Sequence, residues 1–185
     1  MKQFYLACIR SAYGKICIAW SYAGKTPVIE RVLLPGENES TVDATQAQLK
    51  GAEEKSCSGI DAVADSINRM FLGEAVKFDL RAVNLDTCSP FQKAVLLADY
   101  AIPRGWISTY GRIARYTGKP QGARAVGNAF AKNPFPLVIP CHRVVREDGR
   151  LGGFRGGIEM KRSLLSLEGV EPDENNRVRL NRLYY

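Results

Sequence analysis

Residues 109–134 read TYGRIARYTGKPQGARAVGNAFAKNP, and the fold of the second half of the chain turns on them. Thr109 stands where an N-cap is wanted before a helical run, and Gly118 stands where such a run ends in a left-handed residue. The four residues KPQG are turn chemistry. Helical composition resumes at Ala123 and is stopped by Asn133 and Pro134. Two short helices on a tight turn spell a helix-turn-helix, although pairs with Gly in the turn also occur in ordinary bundles. Ala123, Ala125, Gly127, Ala129 and Ala131 give the second helix a thin surface from which Arg124 projects. Such a surface permits close approach, to a neighbouring helix or to a ligand.

Upstream, Ser89 and Pro90 form an N-cap and first-turn pair that opens a helix through FQKAVLLADYA. Before them the composition is different. KQFYLACIR, KICIAWSYA and PVIERVLLP are β-rich runs, the first two separated by the turn-like SAYG, so residues 1–35 predict an antiparallel meander. GENESTVDATQ reads as a polar loop. Ile60, Val63, Ile67, Met70 and Phe71 recur at helical spacing before Gly73. The fold class is therefore α+β, with a boundary that separates residues 1–88 from a mostly helical region, residues 89–185.

With 185 residues, 45% of them hydrophobic, the chain can bury a core. The segment MKQFYLACIRSAYG lacks the apolar run of a signal peptide, and no stretch approaches the roughly 18 apolar residues of a membrane span. The expectation is a monomer in the cytoplasm, or in the nucleus of a eukaryote. Five scattered cysteines, no CxxC pair and a single histidine argue against a zinc site. In a reducing compartment all five thiols should be free.

The formal charge of +7 is unevenly placed. Residues 1–89 hold 10 Lys and Arg against 11 Asp and Glu, whereas residues 90–185 hold 16 against 8. Between residues 90 and 146 nine basic residues face Asp99 alone. A local excess of this kind is the footprint of a polyanion-binding surface, or a solvated cationic face.

PLVIPCHRVVREDG, residues 136–149, sets Cys141 beside His142. FPLVIP reads as a short buried strand with Cys141 at its end. A free cysteine is more often a small core residue than a nucleophile. Here His142, Arg143 and Arg146 lie close enough in sequence to help a thiol whose ordinary pKa is about 8.5. Adjacent side chains diverge, so a bridging water is the natural relay between Cys141 and His142. Glu168 falls in the last turn of the helix GGIEMKRSLLSLEGV, where the dipole disfavours a carboxylate by roughly 0.3–1 kcal/mol. It is a surface acid or the third member of a Cys-His-Glu relay that orients the imidazole.

SPFQKAVL, the run from Ile107 to Gly157 and KRSLLSLEGV together resemble the O6-alkylguanine-DNA alkyltransferases, direct-reversal DNA repair proteins, over about residues 89–170. The resemblance implies a small ribonuclease-H-like domain over 1–88 and a DNA-binding, alkyl-transfer domain over 89–185 with a winged-helix-like helix-turn-helix. It implies that the alkyl group of O6-alkylguanine, with O4-alkylthymine as a second candidate, passes irreversibly to Cys141, once per molecule and with no cofactor or metal. His142 would relay the proton through water, Glu168 would orient it, and Asn133 would brace the turn beside the cysteine. Ala123, Arg124, Ala125, Gly127 and Ala129 would lie against the minor groove of double-stranded DNA. Arg124 would fill the gap left by the flipped nucleotide, and Tyr110 would assist rotation and hydrogen-bond the guanine. Pro136, Val144, Phe154 and Arg155 would shape the guanine pocket.

Two departures from that family stand out. Residues 1–88 contain no His, so the zinc site of some members is not carried over, and Phe154 occupies a place often held by tyrosine. The first hairpin could set Cys8 opposite Cys17, which leaves a disulfide as an open alternative to free thiols. A lesion-binding relative without activity would lack the cysteine. A helix-turn-helix regulator would explain the charge but not the Cys-His-Glu set, and a cysteine hydrolase would have no use for the basic half.

Overall fold

The computed structural model describes residues 2–35 and 51–185; the polar loop expected at 36–46 lies outside them. The chain is a mixed α+β protein with five α-helices among the described residues. Its contacts divide it into two compact units. One is made of the described residues up to Thr87 together with Pro134–Val138, the other of Cys88–Asn133 and Ile139–Tyr185.

In the first unit, the β-rich runs form the expected meander of β1 (Tyr5–Ser11), β2 (Gly14–Ala23) and β3 (Thr26–Leu33). A short β4 (Glu53–Glu54) pairs parallel with β1, giving the order β3-β2-β1-β4. Ile16, Ile18 and Trp20 of β2 are fully buried, as a central strand requires. The amphipathic run at 58–71 forms α1 (Ser58–Phe71), which buries Ile60, Ile67 and Met70 and is ended by Gly73 at φ 82°.

Two expectations are corrected. Cys8 and Cys17 are direct partners in the β1–β2 register and are joined by a disulfide, leaving Cys57, Cys88 and Cys141 as free thiols. Opposed positions of an antiparallel ladder bring their side chains within bonding reach. FPLVIP is not a strand. Leu137 is left-handed at φ 72°, which reverses the chain, and prolines at 134, 136 and 140 donate no ladder hydrogen bonds.

The second unit is built of helices around two strands of two residues. Ser89 Oγ accepts from Gln92 N at 3.3 Å and opens α2 (Pro90–Tyr100). Thr109 Oγ1 accepts from Arg112 N at 3.2 Å and opens α3 (Tyr110–Tyr116), which Gly118 terminates at φ 75°. The KPQG turn leads into α4 (Ala123–Ala131). β5 (Ser108–Thr109), just before α3, pairs parallel with β6 (Val144–Val145), and α5 (Gly157–Leu167) follows β6. Val95, Ala98 and Ile102 pack with Ile113, Ala114, Val126, Ala129 and Val144. Each aliphatic side chain so buried contributes roughly 1.5–3 kcal/mol.

Residues 182–185 are laid against this unit. Ile107 N donates to Arg182 O at 3.0 Å, Tyr184 N to Ile107 O at 2.8 Å, and Tyr185 OH to Ala98 O at 2.9 Å. The Tyr185 ring meets that of Tyr116 at 4.0 Å.

Candidate active site

Cys141 begins a 3-10 turn, Cys141–Arg143, that joins the left-handed loop to β6. The turn fans three consecutive side chains to different partners. Cys141 is 9% exposed, and Asn133 Nδ2 donates both to its Sγ at 3.5 Å and to Ile139 O at 3.4 Å. His142 is fully buried, with Nε2 3.0 Å from Glu168 Oε1. Arg143 grips the same carboxylate, donating from Nε to Oε2 at 2.9 Å and from Nη2 to Oε1 at 2.8 Å, while its Nη1 donates to Ile102 O at 2.7 Å.

Glu168 caps the C-terminus of α5. Burial alone would push its carboxyl up, but His142 and Arg143 outweigh that and hold it near 2. An ionised Glu168 only accepts, so His142 Nε2 carries the proton and Nδ1 carries the lone pair. Burial also holds His142 below its ordinary pKa, and its Nδ1 is buried without a hydrogen-bond partner. The site therefore presents a neutral imidazole with an unused acceptor.

Burial and the nearby Asp99 push the Cys141 thiol up to about 12, against the opposing pull of Asn133 and Lys161. The basic neighbours read from the sequence as thiol activators do not act that way, because Arg143 is turned to Glu168. Cys141 rests as a thiol and must lose its proton as it reacts.

Cys141 lies in the wall of a cavity of about 620 Å³ whose lining includes Tyr110, Ala123, Arg124, Gly127, Phe154 and Arg155. The left-handed Gly152 also lines it, and a Cβ there would fall 2.7 Å from the Tyr110 hydroxyl. Arg155 Nη2 donates to Ala131 O at 3.2 Å, and Phe154 meets the His142 ring edge-on at 6.4 Å. Ala125 is exposed on α4. Ala129 corrects the sequence expectation: it is 8% exposed and lies in the core, since three residues after Val126 it shares that residue's inward face. Val144 is buried with its carbonyl held by Lys161 at 2.7 Å, and Pro136 belongs to the Pro134–Val138 segment of the first unit.

Lys161 and Asp99 were not read from the sequence as part of the site, and Arg143 was read there as a thiol activator rather than as the partner of Glu168. Arg143 had a signal, a cation next to His142 with an acid misplaced at a helix end. Lys161, fully buried with its ammonium on carbonyls, looked like one charge among many in α5. Asp99 was visible as the single acid of the basic stretch and in an apolar context.

The geometry has close relatives. The profile described as "6-O-methylguanine DNA methyltransferase, DNA binding domain" matches residues 90–170. The chain is 40% identical over 157 residues to a methylated-DNA–protein-cysteine methyltransferase of Methanothermobacter thermautotrophicus, an alignment covering 84% of this chain and 80% of that protein. The chain belongs to the methylated-DNA–protein-cysteine methyltransferase family. A Mycobacterium bovis family member is 46% identical over 105 residues, 56% of this chain and 62% of its own length. The Mycobacterium tuberculosis O6-methylguanine methyltransferase crystal structure superposes with a TM-score of 0.71 at 30% identity, covering 90% of this chain and 93% of that one. The structure of M. tuberculosis OGT in complex with DNA superposes at 0.68 and 31% identity, covering 89% and 92%. In a methylated-DNA–protein-cysteine methyltransferase, as the name says, a protein cysteine receives the methyl group.

Proposed function

We propose that this chain repairs O6-alkylguanine in DNA by direct reversal, with Cys141 as the alkyl acceptor. The observation that carries this reading is a thiol in a cavity wall, followed in the same turn by an imidazole whose Nε2 is committed to Glu168 and whose Nδ1 is unused. A water at Nδ1 would take the thiol proton as sulfur attacks the alkyl carbon. The S–C bond forms as the C–O6 bond breaks, and guanine leaves as an anion that ends with the proton given up by Cys141. Tyr110, whose hydroxyl burial holds above its ordinary pKa, keeps its hydrogen and donates a hydrogen bond through it to the departing ring. Asn133 braces the sulfur, and Arg143 keeps Glu168 ionised.

The alkyl carbon is out of reach inside a base stack, so the lesion must be flipped out. The thin face of α4, with Ala123, Ala125 and Gly127, suits the minor groove, and Arg124 would fill the gap. Phe154, Arg155 and the backbone of Val144 would frame the flipped base. The α3–α4 pair would act as a winged-helix-like reader within residues 89–185, beside a ribonuclease-H-like domain of residues 1–88. No helix among the described residues is long and apolar enough to cross a membrane. The proposed form is a cytoplasmic monomer without cofactor.

A thioether offers no leaving group that this site can expel, so each molecule acts once. With a molar excess of duplex containing O6-methylguanine, repair should stop at one lesion per active protein. Continued turnover after that point would overturn the reading.

A further inference from the structure

Asp99, in the last turn of α2, is fully buried, and neither of its carboxylate oxygens has a hydrogen-bond partner. A carboxylate removed from water with nothing to bond costs several kcal/mol, and a group so placed gives up its charge instead. Two cations lie close enough to act on it, but neither donates a hydrogen bond to it. Arg143 directs three N–H groups to Glu168 and Ile102 O. Lys161 Nζ donates to the carbonyls of Val144 at 2.7 Å, Leu151 at 2.5 Å and Gly153 at 3.5 Å.

The groups whose fields meet Asp99 come from every side. The 3-10 turn contributes Cys141 and Arg143, α5 and its cap contribute Lys161 and Glu168, α3 contributes Tyr110, and the 182–185 segment contributes Tyr185. Burial dominates the two cations and pushes the Asp99 carboxyl up to about 8.

We propose that Asp99 is a positioning residue for alkyl transfer, which holds a proton in the working site and on losing it sets a second negative charge beside the Cys141 sulfur and the Arg143–Glu168 pair. The inference rests on Cys141 being the acceptor. Negative charge grows on sulfur as the thiol gives up its proton, and a neutral Asp99 leaves that charge unopposed. An ionised Asp99 repels it and competes with Glu168 for Arg143. Rising pH thus has two opposite effects. It favours loss of the Cys141 proton, and near pH 8 it ionises Asp99, which opposes that loss.

The test is the single-turnover rate of thioether formation between pH 6 and pH 9.5 for wild type, Asp99→Asn and Asp99→Leu. The leucine variant covers the case in which the amide is tolerated poorly. In wild type the rate should stop climbing near pH 8, while the variants continue to rise. The variant-to-wild-type ratio should grow about tenfold between pH 7 and pH 9, the effect of one pK unit on the thiol. Parallel profiles, with thioether forming in all three chains, would overturn this inference alone. Absence of thioether in every chain at every pH would remove the Cys141 assignment and the inference with it.

Discussion

A carboxylate at the C-terminal end of a helix sits in an unfavourable field, and Glu168 is kept ionised there by His142 and the two-pronged grip of Arg143. The depressed pKa of Glu168 is a statement about stability. Its folded value near 2 against an ordinary 4.5 corresponds to about 3 kcal/mol, present above pH 4.5 and lost as pH falls towards 2. Chemical denaturation of wild type and Glu168→Gln at pH 7 and pH 3 should show wild type losing more stability between the two; equal losses would contradict the linkage. Removing Arg143 is expected to be harsher, since breaking a buried pair costs about 3–5 kcal/mol and leaves Glu168 unpaired. Gly152→Ala should lower the unfolding midpoint, because a left-handed alanine costs about 1–2 kcal/mol, and should also slow alkyl transfer about tenfold, because the new methyl group meets the Tyr110 hydroxyl. Cys141, His142 and Glu168 could be singled out in the sequence because His142 is the sole histidine, Cys141 adjoins it and Glu168 stands at an unfavourable helix end. Asp99 and Lys161 could not, because burial comes from tertiary packing that no local pattern encodes.

At the scale of elements, caps did most of the specifying. Ser89 and Thr109 each accept the amide hydrogen bond that a cap is meant to accept, and Gly73 and Gly118 take the left-handed stops. Thr109→Ala should cost about 1 kcal/mol in urea denaturation and weaken DNA binding, because α3 carries Tyr110 at its first position. A cost below the error of the measurement would show that packing rather than the cap holds α3. FPLVIP misled because an apolar run with prolines satisfies the composition of a strand while failing its hydrogen bonding, and the left-handed Leu137 leaves no trace in the sequence. Ala129 misled for a simpler reason. A stripe of small residues shows where a helix is thin, not which side of it faces the core.

For the whole molecule, charge is the feature that carries function furthest. The excess of Lys and Arg lies in residues 90–185, so DNA affinity should fall linearly in log–log against salt, and neutralising a cation of that region that meets phosphate should reduce the slope by about 1. Neutralising Arg10 or Lys15 in the meander should leave the slope unchanged; an equal effect there would place DNA contacts outside the second unit. The change in composition near residue 88 was readable in the sequence. The return of Pro134–Val138 to the first unit was not, because it depends on contacts distant in sequence, such as Val32 N donating to Pro134 O at 2.8 Å.

The most direct measurement is peptide mapping by mass spectrometry after the wild-type chain and Cys141→Ala are each incubated with duplex DNA containing O6-methylguanine. One methyl group in place of one hydrogen, on the wild type alone and on the peptide containing Cys141, is the expected result. A methyl group on another residue, or an unmodified wild-type chain whose DNA is nevertheless repaired, would contradict the assignment of Cys141 as acceptor.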